Sequence, residues 1–203
     1  MCGIVGYIGT KKAKEILING LLRLEYRGYD SAGIATVEDT GISMVKRKGR
    51  VNDLATTPTI NDLVGTIGIA HTRWATHGIP SEVNSHPHMD NKKTVSVVHN
   101  GIIENYIELR QMLENNGYHF LSQTDTEVIP NLINYFYEKT NKETKSDLLE
   151  AIKETVNMLK GSFALEILHN DFKDMMVVLR KDSPLVIGKG EGENYISSPT
   201  WSS

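Results

Sequence analysis

The chain starts Met1-Cys2-Gly3-Ile4-Val5-Gly6, and the interpretation of the whole sequence depends on this stretch. Cys2 is the only cysteine among 203 residues, and it directly follows the initiator methionine. If the methionine is removed, one residue carries both a thiol and an α-amine, and an amine with a pKa of about 7.7 to 8.0 can accept the thiol proton near neutral pH. The alternative is that Cys2 begins a buried strand, because free cysteine is among the most buried residue types.

Composition favours one domain covering residues 2–203 and excludes several classes of function. With 39% hydrophobic residues the chain can form one substantial core. The 22 basic and 25 acidic residues give a net charge of −3 without a basic block, so we expect no nucleic acid and no membrane partner. No apolar run approaches the ~18 residues of a membrane span. A single cysteine excludes an intramolecular disulfide and fits a cytoplasmic location.

Hydrophobic periodicity predicts groups of strands around groups of helices. Apolar residues at helical spacing predict helices over 13–24, 103–113, 124–137 and 146–159. Thr124 and Glu127 are predicted to form a capping box, Ser146 to cap the last helix, and Gly28 to stop the first. Strands are predicted over 2–8, 32–37, 42–47, 65–70, 94–98, 162–168, 175–179, 185–187 and 195–197. This order favours two sheets with helices on their outer faces.

A loop is predicted over 56–61, and a long connection over 72–93 contains several residues able to bind a ligand. A connection of this length inside a compact domain is usually functional or disordered. Arg73 could clamp a carboxylate with its planar guanidinium, and Trp74 could form an apolar cover. The alternative is a solvated arginine beside a packed tryptophan.

Four histidines in and beside this connection raise the question of a metal site. His71 and His77 are six residues apart, and His86 and His88 are two apart. Neither spacing resembles the usual structural zinc patterns, and no second cysteine is present. We therefore expect no metal and no cofactor.

Two further positions carry groups suited to an acyl-transfer site. Asn100 and Gly101 follow the predicted strand 94–98 and precede a predicted helix, and a side-chain amide with a backbone N–H there could hold an oxyanion. An ordinary strand-to-helix turn is the alternative, since Asn-Gly is common in turns. Asp125 could bind an ammonium group, or could simply stabilise the first turn of its helix through the macrodipole.

Taken together, these residues resemble the class II glutamine amidotransferases, which use an N-terminal cysteine. Within this family the chain looks like the branch formed by the glutaminase domain of glucosamine-6-phosphate synthase, with a resemblance that runs from Cys2 to about Ser197. The stretches that carry it are 24–33, 71–78, 80–88, 98–105 and 124–129. The resemblance implies an α+β fold, the four-layer αββα sandwich of the N-terminal nucleophile hydrolases, with two mostly antiparallel sheets between helical layers.

The resemblance also implies chemical roles for individual residues. Cys2 would be the nucleophile and its own α-amine the base. Asn100 and Gly101 would form the oxyanion hole. Arg73 would bind the α-carboxylate of L-glutamine, and Asp125 would bind its α-ammonium group.

Five more residues would complete this site. Thr76 and His77 would line the amino-acid pocket. Arg27 and Gly28 would lie beside Cys2 and orient it. Trp74 would belong to the loop that closes over the glutamine in the full synthase.

The sequence departs from the family pattern at two places. Gln123 stands where glutamate is common, and the last residues read Pro199-Thr200-Trp201-Ser202-Ser203. We expect the sugar-phosphate isomerase domains to be absent from this chain. The predicted activity is hydrolysis of L-glutamine to glutamate and ammonia, and the alternative is a catalytically idle module that binds glutamine or an isomerase subunit.

Overall fold

A computed structural model describes residues 2–74 and 78–200. Its helices are α1 (Ala13–Leu24), α2 (Val51–Ala55), α3 (Tyr106–Asn115), α4 (Val128–Tyr137) and α5 (Lys145–Met158), with short 3-10 helices at Glu25–Arg27 and Pro58–Asp62. Its strands are β1 (Gly3–Ile8), β2 (Ser31–Glu38), β3 (Gly41–Lys48), β4 (Ile67–Arg73), β5 (His88–Met89), β6 (Val95–Ile103), β7 (Gly161–His169), β8 (Val177–Lys181), β9 (Val186–Gly190) and β10 (Glu193–Ser197).

The strands form two antiparallel sheets. The first has six strands in the order β3-β2-β4-β1-β10-β9, and the second has four in the order β5-β6-β7-β8. Strands β1 and β4 lie in the middle of the first sheet, and β6 and β7 in the middle of the second. The residues that end these central strands are therefore surrounded by structure on both sides.

Around β1 both faces of the first sheet are buried, as the alternation along this strand shows. Ile4 packs into a cluster that also contains residues of the second sheet, whereas Val5 and Tyr7 pack against Leu17 and Leu21 of α1. Successive strand residues point to opposite faces. The first sheet thus has α1 on one face and the second sheet on the other.

The second sheet is sandwiched in the same way. Val98 and Ala164 face the first sheet, while Val97 and Phe163 belong to a cluster with Ile129 of α4 and other helical residues. The layers follow the order helix, sheet, sheet, helix. The predicted α+β fold with two antiparallel sheets between helical layers is confirmed.

The end of β6 differs from the prediction. The strand was expected to stop at residue 98, but it continues to Ile103, and α3 begins only at Tyr106. Asn100 and Gly101 therefore lie inside a strand paired with Ala164 and Phe163 of β7. The interpretation of Asn-Gly as a strand-to-helix turn was wrong, because cross-strand pairing overrides the local turn preference of the dipeptide.

The predicted capping box of α4 is also wrong. The helix begins at Val128, and Thr124 uses its hydroxyl to hydrogen bond the Nε2 atom of His88 at 2.9 Å. The carboxylate of Glu127 accepts hydrogen bonds from the backbone N–H groups of Leu121 and Ser122. Both side chains thus stabilise the loop before α4, Thr124 by binding His88 and Glu127 by binding the backbone of the loop itself.

Smaller differences concern the other boundaries. Thr144 rather than Ser146 caps α5, in a capping box with Asp147. The predicted loop 56–61 overlaps the 3-10 helix Pro58–Asp62, and α2 was not predicted. The connection predicted from residue 72 is shorter than expected, because β4 continues to Arg73 and β5 lies near its far end.

In the described part of the chain no helix has the length and apolarity to cross a membrane.

Candidate active site

Cys2 lies at the open end of β1, next to the end of β4. Gly3 pairs with Thr72, so Cys2 is brought beside the residues that follow Arg73. The backbone N–H of Trp74 donates a hydrogen bond to Sγ of Cys2 at 3.3 Å, and Sγ lies 3.4 Å from the carbonyl oxygen of Trp74. The sulfur is thereby held in one position by the backbone of Trp74, directly after β4.

Gly28 allows Trp74 to take up this position. Its φ of +116° belongs to the region that favours glycine, and a Cβ there would come within 2.5 Å of the Trp74 ring. The neighbouring Arg27 ends the short helix after α1 and lies over the ring of Tyr26. Gly28 thus contacts Trp74, which in turn contacts Cys2. The role of Arg27 and Gly28 in orienting Cys2 stays a prediction.

Arg73 is the last residue of β4 and is 3% exposed. Its guanidinium donates hydrogen bonds to the carbonyl oxygens of Ile79 and Gly78, at 3.2 and 3.0 Å, and lies 3.7 Å from Oδ1 of Asp30. The alternative of a solvated arginine is wrong. Asp30, whose own N–H donates to the carbonyl of Arg73, was not singled out in the sequence because an isolated Asp before a strand is ordinary turn chemistry.

Asp125 lies before α4 rather than in its first turn. The side chain is 5% exposed, and its Oδ2 atom accepts a hydrogen bond from the backbone N–H of Ile103 at 2.9 Å. This bond connects the loop before α4 to the end of β6. The carboxylate is therefore fixed close to the strand that carries Asn100 and Gly101.

Gly101 sits in β6 with φ of +128°, and a Cβ at this position would collide with the carbonyl oxygen of Ser162 on β7. Only glycine therefore fits here. Asn100 precedes it, and by strand alternation its side chain lies on the same face as Val98, toward the first sheet. The first sheet also contains β1, the strand that follows Cys2.

A small cavity brings four of the predicted residues together. It has a volume of about 20 Å³, room for about one water molecule. Its lining includes Cys2, Arg73, Gly101 and Asp125. Residues not predicted to belong to the site complete the lining: His86, His99, Thr124 and Thr126. Thr76 and His77 were predicted to line the pocket but lie outside the described residues.

His71, His86 and His88 form a buried cluster of rings. The rings of His71 and His86 stack with centroids 3.8 Å apart, and His88 contacts His86 edge-on. Burial lowers the pKa of His71 to about 3 and also lowers the pKa of His86, His88 and His99. These rings are therefore neutral near pH 7. Among residues 2–74 and 78–200 no group of three or more potential ligands is arranged to hold a metal ion.

The thiol of Cys2 is subject to opposing influences. Burial raises its pKa above the ordinary value, while the hydrogen bond from Trp74 and the positive charge of Arg73 lower it. The burial effect is the larger one. The thiol is therefore mostly protonated at neutral pH, and a nearby base is needed to convert it to the reactive thiolate.

Comparison with known proteins places this geometry in a family. The family model described as a glutamine amidotransferase domain matches residues 71–200. The chain is 56% identical over 198 residues to the glutamine–fructose-6-phosphate aminotransferase (isomerizing) of Clostridium perfringens and 54% identical over 198 residues to that of Clostridium tetani, in each case over 98% of this chain and 31% of the relative. The chain belongs to the glutamine amidotransferase domain family.

Solved structures agree with this assignment. The glutamine phosphoribosylpyrophosphate amidotransferase of B. subtilis superimposes with a TM-score of 0.80 and 29% identity, over 97% of this chain and 42% of that chain. A glutamine aminotransferase class-II domain protein from Silicibacter pomeroyi shares the fold, with a TM-score of 0.57 and 12% identity over 97% of this chain and 88% of that chain. The present chain spans about a third of the length of the curated relatives it matches.

Proposed function

We propose that this chain is a glutaminase that hydrolyses L-glutamine to glutamate and ammonia through a γ-glutamyl thioester on Cys2. The observation that carries the proposal is the shared cavity of Cys2, Gly101, Arg73 and Asp125. It brings together the proposed nucleophile, one of the two proposed oxyanion donors and two side chains of opposite charge. Membership of the glutamine amidotransferase domain family supports the same substrate.

The two charged residues are suited to an α-amino acid. Arg73 presents a positive charge whose orientation is fixed by the carbonyl groups of Gly78 and Ile79, and it would attract the α-carboxylate. Asp125, held by the N–H of Ile103, would accept the α-ammonium group. The resemblance adds Thr76 and His77 to this pocket. The side-chain amide of the bound glutamine would then extend toward Cys2.

The chemistry would proceed in two steps. With Met1 removed, the α-amine of Cys2 takes the thiol proton, and Sγ attacks the amide carbon while the carbonyl electrons move to oxygen. The amide of Asn100 and the N–H of Gly101 stabilise this oxyanion. As the oxyanion collapses, the C–N bond breaks and ammonia leaves with the proton held by the amine. Water then attacks the thioester, giving its proton through the amine to Sγ and releasing glutamate.

Binding requires side chains around this small cavity to shift. A cavity of about 20 Å³ cannot hold glutamine. Trp74 is 51% exposed and packs against Gly28, so its ring can shift without disrupting a core. We infer that the ring of Trp74 shifts outward to admit glutamine.

The wider role is inferred from the longer relatives. Their names describe amination of fructose 6-phosphate, and we propose that ammonia from this domain serves that reaction together with sugar-phosphate isomerase domains, in the cytoplasm. Residues 2–203 form the glutaminase unit in this proposal. A cofactor or metal is not needed by any step.

The decisive experiment combines intact-mass measurement with an assay of ammonia release. We expect the active protein to lack Met1, and Cys2→Ser to lower turnover at least about a thousandfold while the variant still binds glutamine in calorimetry. Full activity of protein that retains Met1 would contradict the mechanism. Glutamine binding by the unsubstituted chain without ammonia release would show the idle binding module instead.

A further inference from the structure

A hydrogen bond between the two sheets ends beside the proposed oxyanion hole. The Nε2 atom of His71 on β4 lies 3.0 Å from the carbonyl oxygen of His99 on β6. A carbonyl oxygen only accepts, so Nε2 of His71 carries the hydrogen and donates it. Burial lowers the pKa of His71 to about 3, and the ring is therefore neutral with its single proton on Nε2.

The acceptor belongs to the peptide that leads into Asn100. A hydrogen bond to the carbonyl of His99 fixes the plane of the peptide between His99 and Asn100. The N–H of Gly101 follows one peptide later in the same strand. The rotation of these peptides determines where both proposed oxyanion donors point.

The His71 ring is itself held firmly. It stacks on the ring of His86 with an interplanar angle of 7°. The backbone of His86 lies against Gly33, where a Cβ would collide with the carbonyl oxygen of His86. His71 also pairs with Ile4 and Gly33 in the centre of the first sheet. The donor therefore has little freedom to move away from its acceptor.

His71 is poorly suited to be only a core residue. Its Nδ1 atom is buried and has no hydrogen-bond partner among the described residues. An unpartnered buried nitrogen lowers stability, and an apolar residue of similar size would avoid that cost. What the imidazole provides and an apolar ring does not is the N–H directed at His99.

We propose that His71 is a positioning residue for the oxyanion hole, holding the His99 carbonyl so that Asn100 and Gly101 are aligned on the reacting amide. This inference rests on the proposed glutaminase function. Because β4 also carries Arg73, and the N–H of the following Trp74 binds Cys2, the same bond keeps the oxyanion donors in register with the nucleophile and the carboxylate clamp.

The test compares two substitutions of His71 whose side-chain amide N–H groups lie at different distances from the backbone. In His71→Gln the amide nitrogen extends about as far as Nε2 and can still donate to His99, whereas in His71→Asn it extends only as far as Nδ1. We expect His71→Asn to lower kcat for glutamine hydrolysis about 10- to 100-fold, with KM changed less than about threefold. His71→Gln should recover most of the lost kcat.

His169→Asn is the matched control. His169 is a buried histidine on β7 that packs against Tyr137 and Phe172, away from the cavity. Melting temperatures of all three variants separate loss of folding from loss of alignment. We expect His169→Asn and His71→Asn both to lower the melting temperature, but only His71→Asn to lower kcat.

Each outcome is decisive. Equal kcat for His71→Asn and the unsubstituted chain, equal losses in the Asn and Gln variants, or a change confined to KM would overturn the positioning role. An unsubstituted chain that releases no ammonia would instead contradict the proposed function, and the inference with it.

Discussion

Asp125 and Glu166 are two buried carboxyl groups in very different surroundings. Asp125 accepts a hydrogen bond from the N–H of Ile103 and lines the cavity together with Arg73. Glu166, in the middle of β7, is 0% exposed, and neither of its oxygens has a hydrogen-bond partner among the described residues. Burial raises its pKa well above the ordinary value.

The difference shows what distinguishes a candidate binding group from a buried group that only costs stability. Asp125 accepts a hydrogen bond from a backbone N–H, and it lines a cavity that the positively charged Arg73 also lines. The side chain of Glu166 lies on the same face of β7 as Ala164, which belongs to the apolar cluster between the sheets. The Oε2 atom of Glu166 lies so close to Gly6 of β1 that a Cβ on Gly6 would collide with it. A perturbed pKa alone would rank Glu166 first, but the geometry favours Asp125.

The largest effect is expected when Glu166 is replaced by leucine. Removing an unpartnered buried carboxyl group should raise the free energy of unfolding by about 1 to 3 kcal/mol at pH 5. The gain should increase with pH. Between the unfolded pKa of about 4.3 and its raised folded pKa, the native carboxyl keeps a proton that the unfolded chain releases, so native stability falls as pH rises, by up to about 1.4 kcal/mol per unit.

Denaturant unfolding at pH 5, 6, 7 and 8 measures this difference. The control is Glu154→Leu, which makes the same change of side chain on the exposed surface of α5. If Glu166→Leu lowered stability at every pH with an unchanged slope, the carboxyl group would have a partner that the structure does not show.

The next effect uses the same chemical change at both carboxyl groups. Asp125→Asn should raise KM for glutamine about 10- to 150-fold, because it removes a charged hydrogen bond of about 1.5 to 3 kcal/mol. Glu166→Gln should leave kcat and KM unchanged. Steady-state kinetics of the two variants check this. A severe loss of kcat in Asp125→Asn at unchanged KM would contradict its role as an ammonium ligand.

The smallest effect probes the contact between the two sheets. Gly6→Ala should be less destabilising in a Glu166→Val background than in the native chain, with a coupling energy of about 0.5 to 1 kcal/mol. The coupling is small because the clashing atom is the end of a flexible side chain. A double-mutant cycle from unfolding curves measures it. Strict additivity would place the Glu166 carboxyl group away from Gly6.

Sequence patterns predicted the layers better than the ends of elements. The apolar stripe of α1 predicted a helix packed against a sheet, and the order of strand groups and helix groups favoured two sheets with helices on their outer faces. The end of β6 could not, since Asn100-Gly101 has the composition of a turn and its strand conformation comes from pairing with β7. The capping box failed for a related reason, because the carboxylate of Glu127 binds the loop at residues 121 and 122.

The candidate site divides in the same way. Cys2, Arg73, Gly101 and Asp125 were singled out from residue type and position, and the structure brings them to one cavity. Their roles stay predictions, as do those of Asn100, Arg27, Gly28 and Trp74. The partners Asp30 and His99 were missed, because contacts such as Asp30 with Arg73 depend on the pairing of β2 with β4.

One feature of β4 restricts how the length of this chain can vary. His71 and Arg73 project from one face of a strand that is paired on both sides, and the N–H of Trp74 comes immediately afterwards. A single-residue insertion or deletion within 67–74 would turn the following side chains to the opposite face. Tolerated insertions should therefore concentrate in exposed connections such as 139–143, and a library of one-codon insertions selected for ammonia release should be empty across β4.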